Sequence, residues 1–243
     1  MRRRKGSCFF IHPRTQIGIA SRAKMCNNIG SPRRKPTARQ LCRRGDNGRM
    51  QYYQSVFSSL PMIDTERLRL RPLTMRDDRD MFRYASDPQV SRHVLWEAHS
   101  TPRETRSVLR AAIRQYRAGD PSSFAIERRS DHRMIGTIGF MWINCEHRSA
   151  EVGYSLARDC WNQGYATEAL RAVLRFGFDT LRLNRIEAQH ELDNPASGRV
   201  MEKCGMRCEG TLRQRVFNKG RFSDVRLYAI LRGDGVPGSK QTE

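Results

Sequence analysis

This 243-residue sequence contains no apolar stretch that approaches the ~18 uninterrupted residues required to cross a membrane. We therefore expect a soluble, cytoplasmic protein with no membrane partner. Its seven cysteines are odd in number and form no CxxC pair. This excludes a conventional disulfide scaffold, disfavours the common zinc motifs and fits a reducing compartment. We predict that the chain binds no metal.

Acidic residues are nearly missing from the first quarter of the chain. Residues 1–61 contain 14 lysines and arginines but one acid, Asp46, so most of the net charge of +20 comes from this segment. The segment also lacks sustained hydrophobic periodicity, and we predict a basic, disordered extension. It could contact RNA or another polyanion, or act as an organelle transit peptide. Alternatively, translation starts at Met50 or Met62.

Residues 62–232 carry the patterns of one folded domain, and residues 233–243 are predicted to form a flexible tail. The predicted strands cover residues 66–71, 124–127, 134–143, 150–156, 185–190, 206–213 and 222–231, and the predicted helices cover residues 75–85, 102–118, 166–178 and 196–203. The early strands can pair antiparallel, whereas the β-α-β stretch at 150–190 requires a parallel crossover. The sequence therefore predicts an α+β domain with a mixed, mostly antiparallel sheet of about seven strands flanked by helices.

The segment between the strand at 150–156 and the following helix has the composition of an anion-binding loop. Gly164 and Ala166 stand at the predicted helix start, where small side chains leave the backbone N–H groups accessible. The positive end of a helix dipole favours anions at such a place. The pattern predicts a backbone cradle for a pyrophosphate, although an ordinary strand–helix turn has similar composition.

Six fragments stand in a characteristic order between residue 63 and about residue 233. They are TERLRLRP at 65–72, AEVGY at 150–154, WNQGYATEA at 161–169, NPAS at 194–197, EKCG at 202–205 and EG at 209–210. In this order and spacing they resemble the Gcn5-related N-acetyltransferase (GNAT) superfamily, and most closely its ribosomal-protein-type (RimJ/RimL-like) N-terminal acetyltransferases. The chain departs from the family pattern at Trp161, where Arg or Gln is usual.

The resemblance implies acetyl-CoA as the acetyl donor and assigns its contacts. The pyrophosphate would lie on backbone N–H groups of the five residues Gln163, Gly164, Tyr165, Ala166 and Thr167. The pantetheine would run as an extra strand between two splayed parallel strands, here 150–156 and 185–190, and pair with the backbone of Tyr154, Ser155 and Leu156. In the family this pair of strands forms the acetyl-CoA cleft.

The resemblance also suggests catalytic residues. Glu151 is the candidate general base, and its alternative role is an ion pair with Arg148 or Arg158. Many superfamily members use a tyrosine as the acid where this chain has Met201. Ribosomal-type members instead offer the serine that is Ser197 here, although a serine beside a proline is also ordinary helix-start chemistry.

Asn194 would order the cofactor or the loop around it. The function predicted is transfer of an acetyl group to a primary amine, namely a protein N-terminal amine, by direct transfer in a ternary complex. Two alternatives stay open at this point. One is a small-molecule acceptor such as a polyamine, an amino acid or an aminoglycoside, and the other is a non-catalytic acyl-CoA- or RNA-binding module.

Overall fold

The computed structural model describes residues 47–238, which form one mixed sheet of eight strands flanked by helices. The strands are β1 (Ile63–Asp64), β2 (Leu68–Pro72), β3 (Ser123–Arg128), β4 (Arg133–Asn144), β5 (Ser149–Leu156), β6 (Arg185–Glu191), β7 (Arg207–Asn218) and β8 (Arg221–Leu231). The α-helices are α1 (Asn47–Ser58), α2 (Asp78–Ala85), α3 (Pro88–Ser91), α4 (Pro102–Ala118), α5 (Tyr165–Asp179) and α6 (Pro195–Lys203). The predicted α+β class is confirmed.

The strands follow the order β1-β2-β3-β4-β5-β6-β8-β7, and β5 with β6 is the parallel pair in an otherwise antiparallel sheet. These two strands pair only where Ser149–Glu151 lies beside Arg185–Glu187. Beyond that point β5 continues to Leu156 without pairing to β6. The predicted splayed parallel pair is therefore present. The sequence predicted about seven strands and missed β1, because two residues are too few to show a period.

Helices cover both faces of the sheet. Adjacent residues of a strand point to opposite faces, and on β5 the Ser155 hydroxyl meets Thr137 beneath Tyr84 of α2. Tyr154, the preceding residue, reaches α6 on the other face. Phe176 of α5 packs into the core with its ring 5.6 Å from that of Phe124.

Helix α1 lies within the segment that the sequence assigned to a disordered extension. Its residues Tyr53 and Phe57 and the following Leu60 are buried, and the Phe57 ring lies 6.3 Å from that of Phe140 in the core. The prediction is corrected for residues 47–61. The apolar spacing i, i+4, i+7 of these three residues was the signal that could have revealed the helix. A chain beginning at Met62 would lack all three core side chains.

Residues 1–46 lie outside the described residues, so the extension and its polyanion or targeting role there stay predictions. The predicted tail at 233–243 is corrected up to residue 238: Val236 is buried, and Asp234 accepts a hydrogen bond from the backbone N–H of Leu231. Residues 239–243 lie outside the described part. Over residues 47–238, no helix combines the length and apolar character of a membrane span.

Candidate functional site

The predicted pyrophosphate cradle is a left-handed turn followed by a helix start. Asn162 and Gly164 have φ values of 60° and 82°. The N–H of Glu168 donates to the Gly164 carbonyl as the first bond of α5. The N–H groups of residues 164–167 consequently have no intrahelical acceptor. Four of the five predicted pyrophosphate residues, all except Gln163, therefore present free backbone N–H groups at one helix start, an arrangement that suits an anion.

A clamp from the start of the domain holds this cradle. The Glu168 carboxylate accepts hydrogen bonds from the Thr65 hydroxyl (2.6 Å), the Arg67 backbone (2.8 Å) and Arg67 Nε (2.8 Å). Arg67 Nη1 also donates to the Gln163 carbonyl at 2.9 Å, and its guanidinium carbon lies 4.6 Å from the centre of the Tyr165 ring. Burial acts to raise the pKa of Glu168, but these hydrogen bonds outweigh it and hold the pKa below its ordinary value. Sequence reasoning missed Arg67, although it lies in the TERLRLRP fragment.

Trp161, the departure from the family pattern, closes the loop in front of the cradle. Its indole N–H donates to the Leu156 carbonyl at 2.8 Å. The Gln163 side chain donates to the Asp159 carbonyl at 2.7 Å. These two side-chain bonds to backbone carbonyls fix the loop between β5 and α5.

The unpaired edge of β5 faces the gap between β5 and β6. Ala157 N–H donates to the Ile135 carbonyl of β4. Hydrogen-bonded residues alternate along an antiparallel strand, so Ser155 also directs its backbone to β4. Tyr154 and Leu156 direct theirs into the gap, where the Leu156 carbonyl already accepts the bond from the Trp161 indole. Of the three residues predicted to pair with pantetheine, two have the required orientation. Ser155 does not, because strand alternation turns its backbone groups toward β4 and its hydroxyl lies 3.1 Å from that of Thr137.

Glu151 stands at the point where the parallel strands separate. Its carboxylate accepts hydrogen bonds from Trp142 Nε1 at 2.7 Å and from Gln189 Nε2 at 2.9 Å. Burial raises its pKa above the ordinary value, while these two hydrogen bonds act in the opposite direction. Neither Arg148 nor Arg158 forms the alternative ion pair, and Arg158 instead binds Asp87 at 2.8 Å.

Ser197 and Asn194 meet at the start of α6. The Asn194 side chain accepts a bond from Ser197 N–H at 3.4 Å, which makes Asn194 the helix N-cap. The Ser197 hydroxyl lies 2.8 Å from the Tyr154 hydroxyl, which also donates to the Ser197 carbonyl at 3.2 Å. Met201 is buried in the core. The structure thus brings Tyr154 and Ser197 together, and Asn194 orders the local backbone.

Two cysteines and one histidine of the described residues are poorly placed for chemistry. Cys160 and Cys204 are fully buried, and burial raises the pKa of both thiols, so neither is a ready thiolate. His190 is packed with its ring 5.6 Å from that of Tyr228. These observations agree with the interpretation of these residues as packing groups.

One cluster of possible metal ligands lies apart from the cradle. His93, Glu191 and Asp193 each present a ligand atom within 4.8 Å of the others, a proximity that sequence spacing did not predict. Arg221 also binds both carboxylates, at 3.1 and 3.6 Å. Asn218 donates to Glu191 at 3.2 Å. The positive charge of Arg221 therefore already compensates the two carboxylates. The same contacts link the end of β6 to the β7–β8 turn.

Comparison with known proteins places this geometry in context. The acetyltransferase (GNAT) domain family matches residues 67–207. YoaA, an uncharacterized N-acetyltransferase of Bacillus subtilis, is 34% identical over 71% of this chain and 97% of its own. The ribosomal-protein-serine acetyltransferase of Escherichia coli is 30% identical over 52% of this chain and 69% of its own. The spermidine N(1)-acetyltransferase of Vibrio cholerae is 32% identical over 41% and 57%, respectively.

Two solved structures have the same fold as this chain. A GNAT-family acetyltransferase from Bacillus anthracis superposes with a TM-score of 0.64 at 30% identity, covering 71% of this chain and 99% of that one. RimJ from Mycobacterium smegmatis, solved in complex with CoA-disulfide, superposes with a TM-score of 0.61 at 27% identity, covering 68% and 81%. Since the domain family matches more than half of the sequence and YoaA is similar over nearly its whole length, the chain belongs to the GNAT family and is an acetyltransferase.

Proposed function

We propose that this enzyme transfers the acetyl group of acetyl-CoA to the N-terminal amine of a protein, by direct attack in a ternary complex. The observation that carries the proposal is the Glu151 carboxylate, held by two neutral donors at the mouth of the gap between β5 and β6. A half-buried carboxylate with a raised pKa is suited to general base catalysis.

The donor would bind through the backbone. The cradle at Gln163–Thr167 would hold the pyrophosphate, and the gap-facing amides of Tyr154 and Leu156 would pair with the pantetheine. This binding mode resembles the addition of a strand to an exposed sheet edge, so side-chain identity along β5 matters little. It directs the thioester toward Glu151.

The residues around Glu151 would meet the demands of acyl transfer. An ammonium group must lose a proton before it attacks, and Glu151 would accept that proton directly or through a water. The Val152 N–H is used in the pairing of β5 with β6, so the first free N–H that faces the gap is that of Tyr154, which would stabilise the developing oxyanion. The Ser197 hydroxyl would supply a proton to the departing thiolate.

The charges near Glu151 favour an acceptor that is not a polycation. Glu187 is paired with Arg185 at 2.6 Å, and Arg215 lies near enough to stabilise the Glu151 carboxylate. A polyamine site would be expected to present unpaired acids instead. One relative is a ribosomal-protein-serine acetyltransferase and another a spermidine N(1)-acetyltransferase, and the local charge balance supports a protein acceptor.

Thiol release from acetyl-CoA tests the proposal. The purified protein is supplied with peptides that begin with Ser, Ala or Met, with the same peptides blocked at the N-terminus, and with spermidine. We expect turnover with free-terminus peptides and none with the blocked ones. Turnover with spermidine and with none of the peptides would instead make a polyamine the acceptor. CoA binding without turnover of any acceptor would favour the non-catalytic alternative.

A further inference from the structure

The residues 65–67 that clamp the cradle have no role in the proposed reaction. Arg67 is its centre, because its backbone and guanidinium together contact both ends of the segment Gln163–Glu168. A Cβ added to Gly164 would lie 3.3 Å from Arg67 Nη2, so the guanidinium lies directly beside the left-handed turn. Arg67 is partly exposed, with 43% of its side-chain area accessible.

We propose that Arg67 is a positioning residue for the diphosphate of the donor, an inference that rests on the proposed use of acetyl-CoA. Its first effect is geometric. The bond from Nη1 to the Gln163 carbonyl fixes the peptide that precedes Gly164, and the contact with the Tyr165 ring fixes the residue that follows it. The N–H groups of the cradle are thereby held in one orientation before the anion arrives, which reduces the ordering cost of binding.

The second effect is electrostatic. Glu168 is an acid in the first turn of α5, the same turn that presents its N–H groups to the diphosphate. An uncompensated carboxylate there would repel a dianionic group across a short distance. Arg67 neutralises this charge through its 2.8 Å ion pair. Loss of Arg67 would therefore remove a positive charge and also expose a negative one.

Arg69 provides a matched control. It lies two residues away on β2, is similarly exposed, and pairs with Asp64 instead of with the segment Gln163–Glu168. Both substitutions remove one arginine and one ion pair. A general effect of net charge or of β2 stability would appear in both variants, whereas the proposed effect belongs to Arg67 alone.

The experiment measures CoA binding by calorimetry, thermal unfolding, and the steady-state constants for both substrates. We expect Arg67→Ala to raise Kd for CoA and KM for acetyl-CoA by about tenfold or more, with kcat and the acceptor KM within twofold. The CoA affinity of Arg67→Lys should lie between those of the wild type and Arg67→Ala, because lysine keeps the positive charge but cannot make the several directed contacts of the guanidinium. Arg69→Ala should match the wild type.

A double variant separates the two effects. Adding Glu168→Gln to Arg67→Ala should restore part of the lost CoA affinity, because it removes the exposed negative charge. Unchanged CoA affinity in Arg67→Ala, or an equal loss in Arg69→Ala, would overturn the proposal. If Arg67→Ala does not fold, a wild-type Kd in Arg67→Lys would overturn it. Failure of the wild type to bind CoA would instead refute the donor assignment.

Discussion

The Tyr154 hydroxyl lies 2.8 Å from the Ser197 hydroxyl, so β5 is joined to α6 across the face of the sheet that α6 covers. This contact links two residues that the sequence assigned to different tasks, pantetheine pairing and thiolate protonation. Burial raises the pKa of Tyr154, which keeps its phenol protonated as a hydrogen-bond donor at neutral pH. The Ser197 hydroxyl is consequently oriented by Tyr154.

Substitution at these two positions should have unequal effects. We expect Ser197→Ala to lower kcat by roughly 10²-fold with little change in KM for acetyl-CoA, because general acid catalysis contributes about 10²–10⁴-fold. Tyr154→Phe removes only a neutral hydrogen bond worth about 1 kcal/mol and should lower kcat less than tenfold. Steady-state kinetics of both variants tests this order. The reverse order would move the role of acid to Tyr154.

Gly164 should be intolerant of an acidic side chain. Gly164→Asp would place a carboxylate within the anion cradle and strain a residue with φ of 82°. We expect CoA affinity measured by calorimetry to fall by about 10²-fold or more. Gly220→Asp is the control, since Gly220 has φ of 79° and lies in open space. Equal CoA affinities of the two variants would contradict the position assigned to the cradle.

The pH profile should report the protonation of Glu151. A general base acts only when deprotonated, so kcat/KM should fall as the pH drops through the raised pKa of this carboxyl. Trp142→Phe removes a hydrogen bond that stabilises the charged form, and we expect the acidic limb to move to higher pH. Glu151→Gln should lower kcat by about 10²-fold and abolish that limb. An acidic limb that persists in Glu151→Gln would remove this residue from the mechanism.

Helix α1 should contribute to the stability of the domain. Phe57 is fully buried against Phe140, and Phe57→Ala should lower the free energy of unfolding by about 3–5 kcal/mol. Gln51 is exposed on the same helix, and Gln51→Ala should change stability by about 0.5 kcal/mol or less. Chemical denaturation of both variants measures these changes in the free energy of unfolding. Similar midpoints would restore the original assignment of this segment to an extension.

Much of the fold was predictable because its signals are local. The helix at Pro102–Ala118 has the predicted bounds because Thr101 caps its start and Gly119, with φ of 69°, ends it. Leu68 and Leu70 are both buried on β2, because residues two apart on a strand face the same side of the sheet. Helix α1 was missed because the basic composition of residues 1–61 outweighed a short apolar pattern. Strand β1 was too short to carry a pattern.

The sequence by itself determined the chemistry that the backbone can perform: a glycine where the chain needs a left-handed turn, a helix start beside it, and a strand whose amides lie next to a glutamate. Tertiary structure alone decided which side chains serve that chemistry. The partners of Glu151 come from β4 and β6, that of Ser197 from β5, and that of the cradle from Arg67, about a hundred residues earlier in the chain. Such pairings depend on strand order and on the face to which each residue points, and neither is encoded in local spacing.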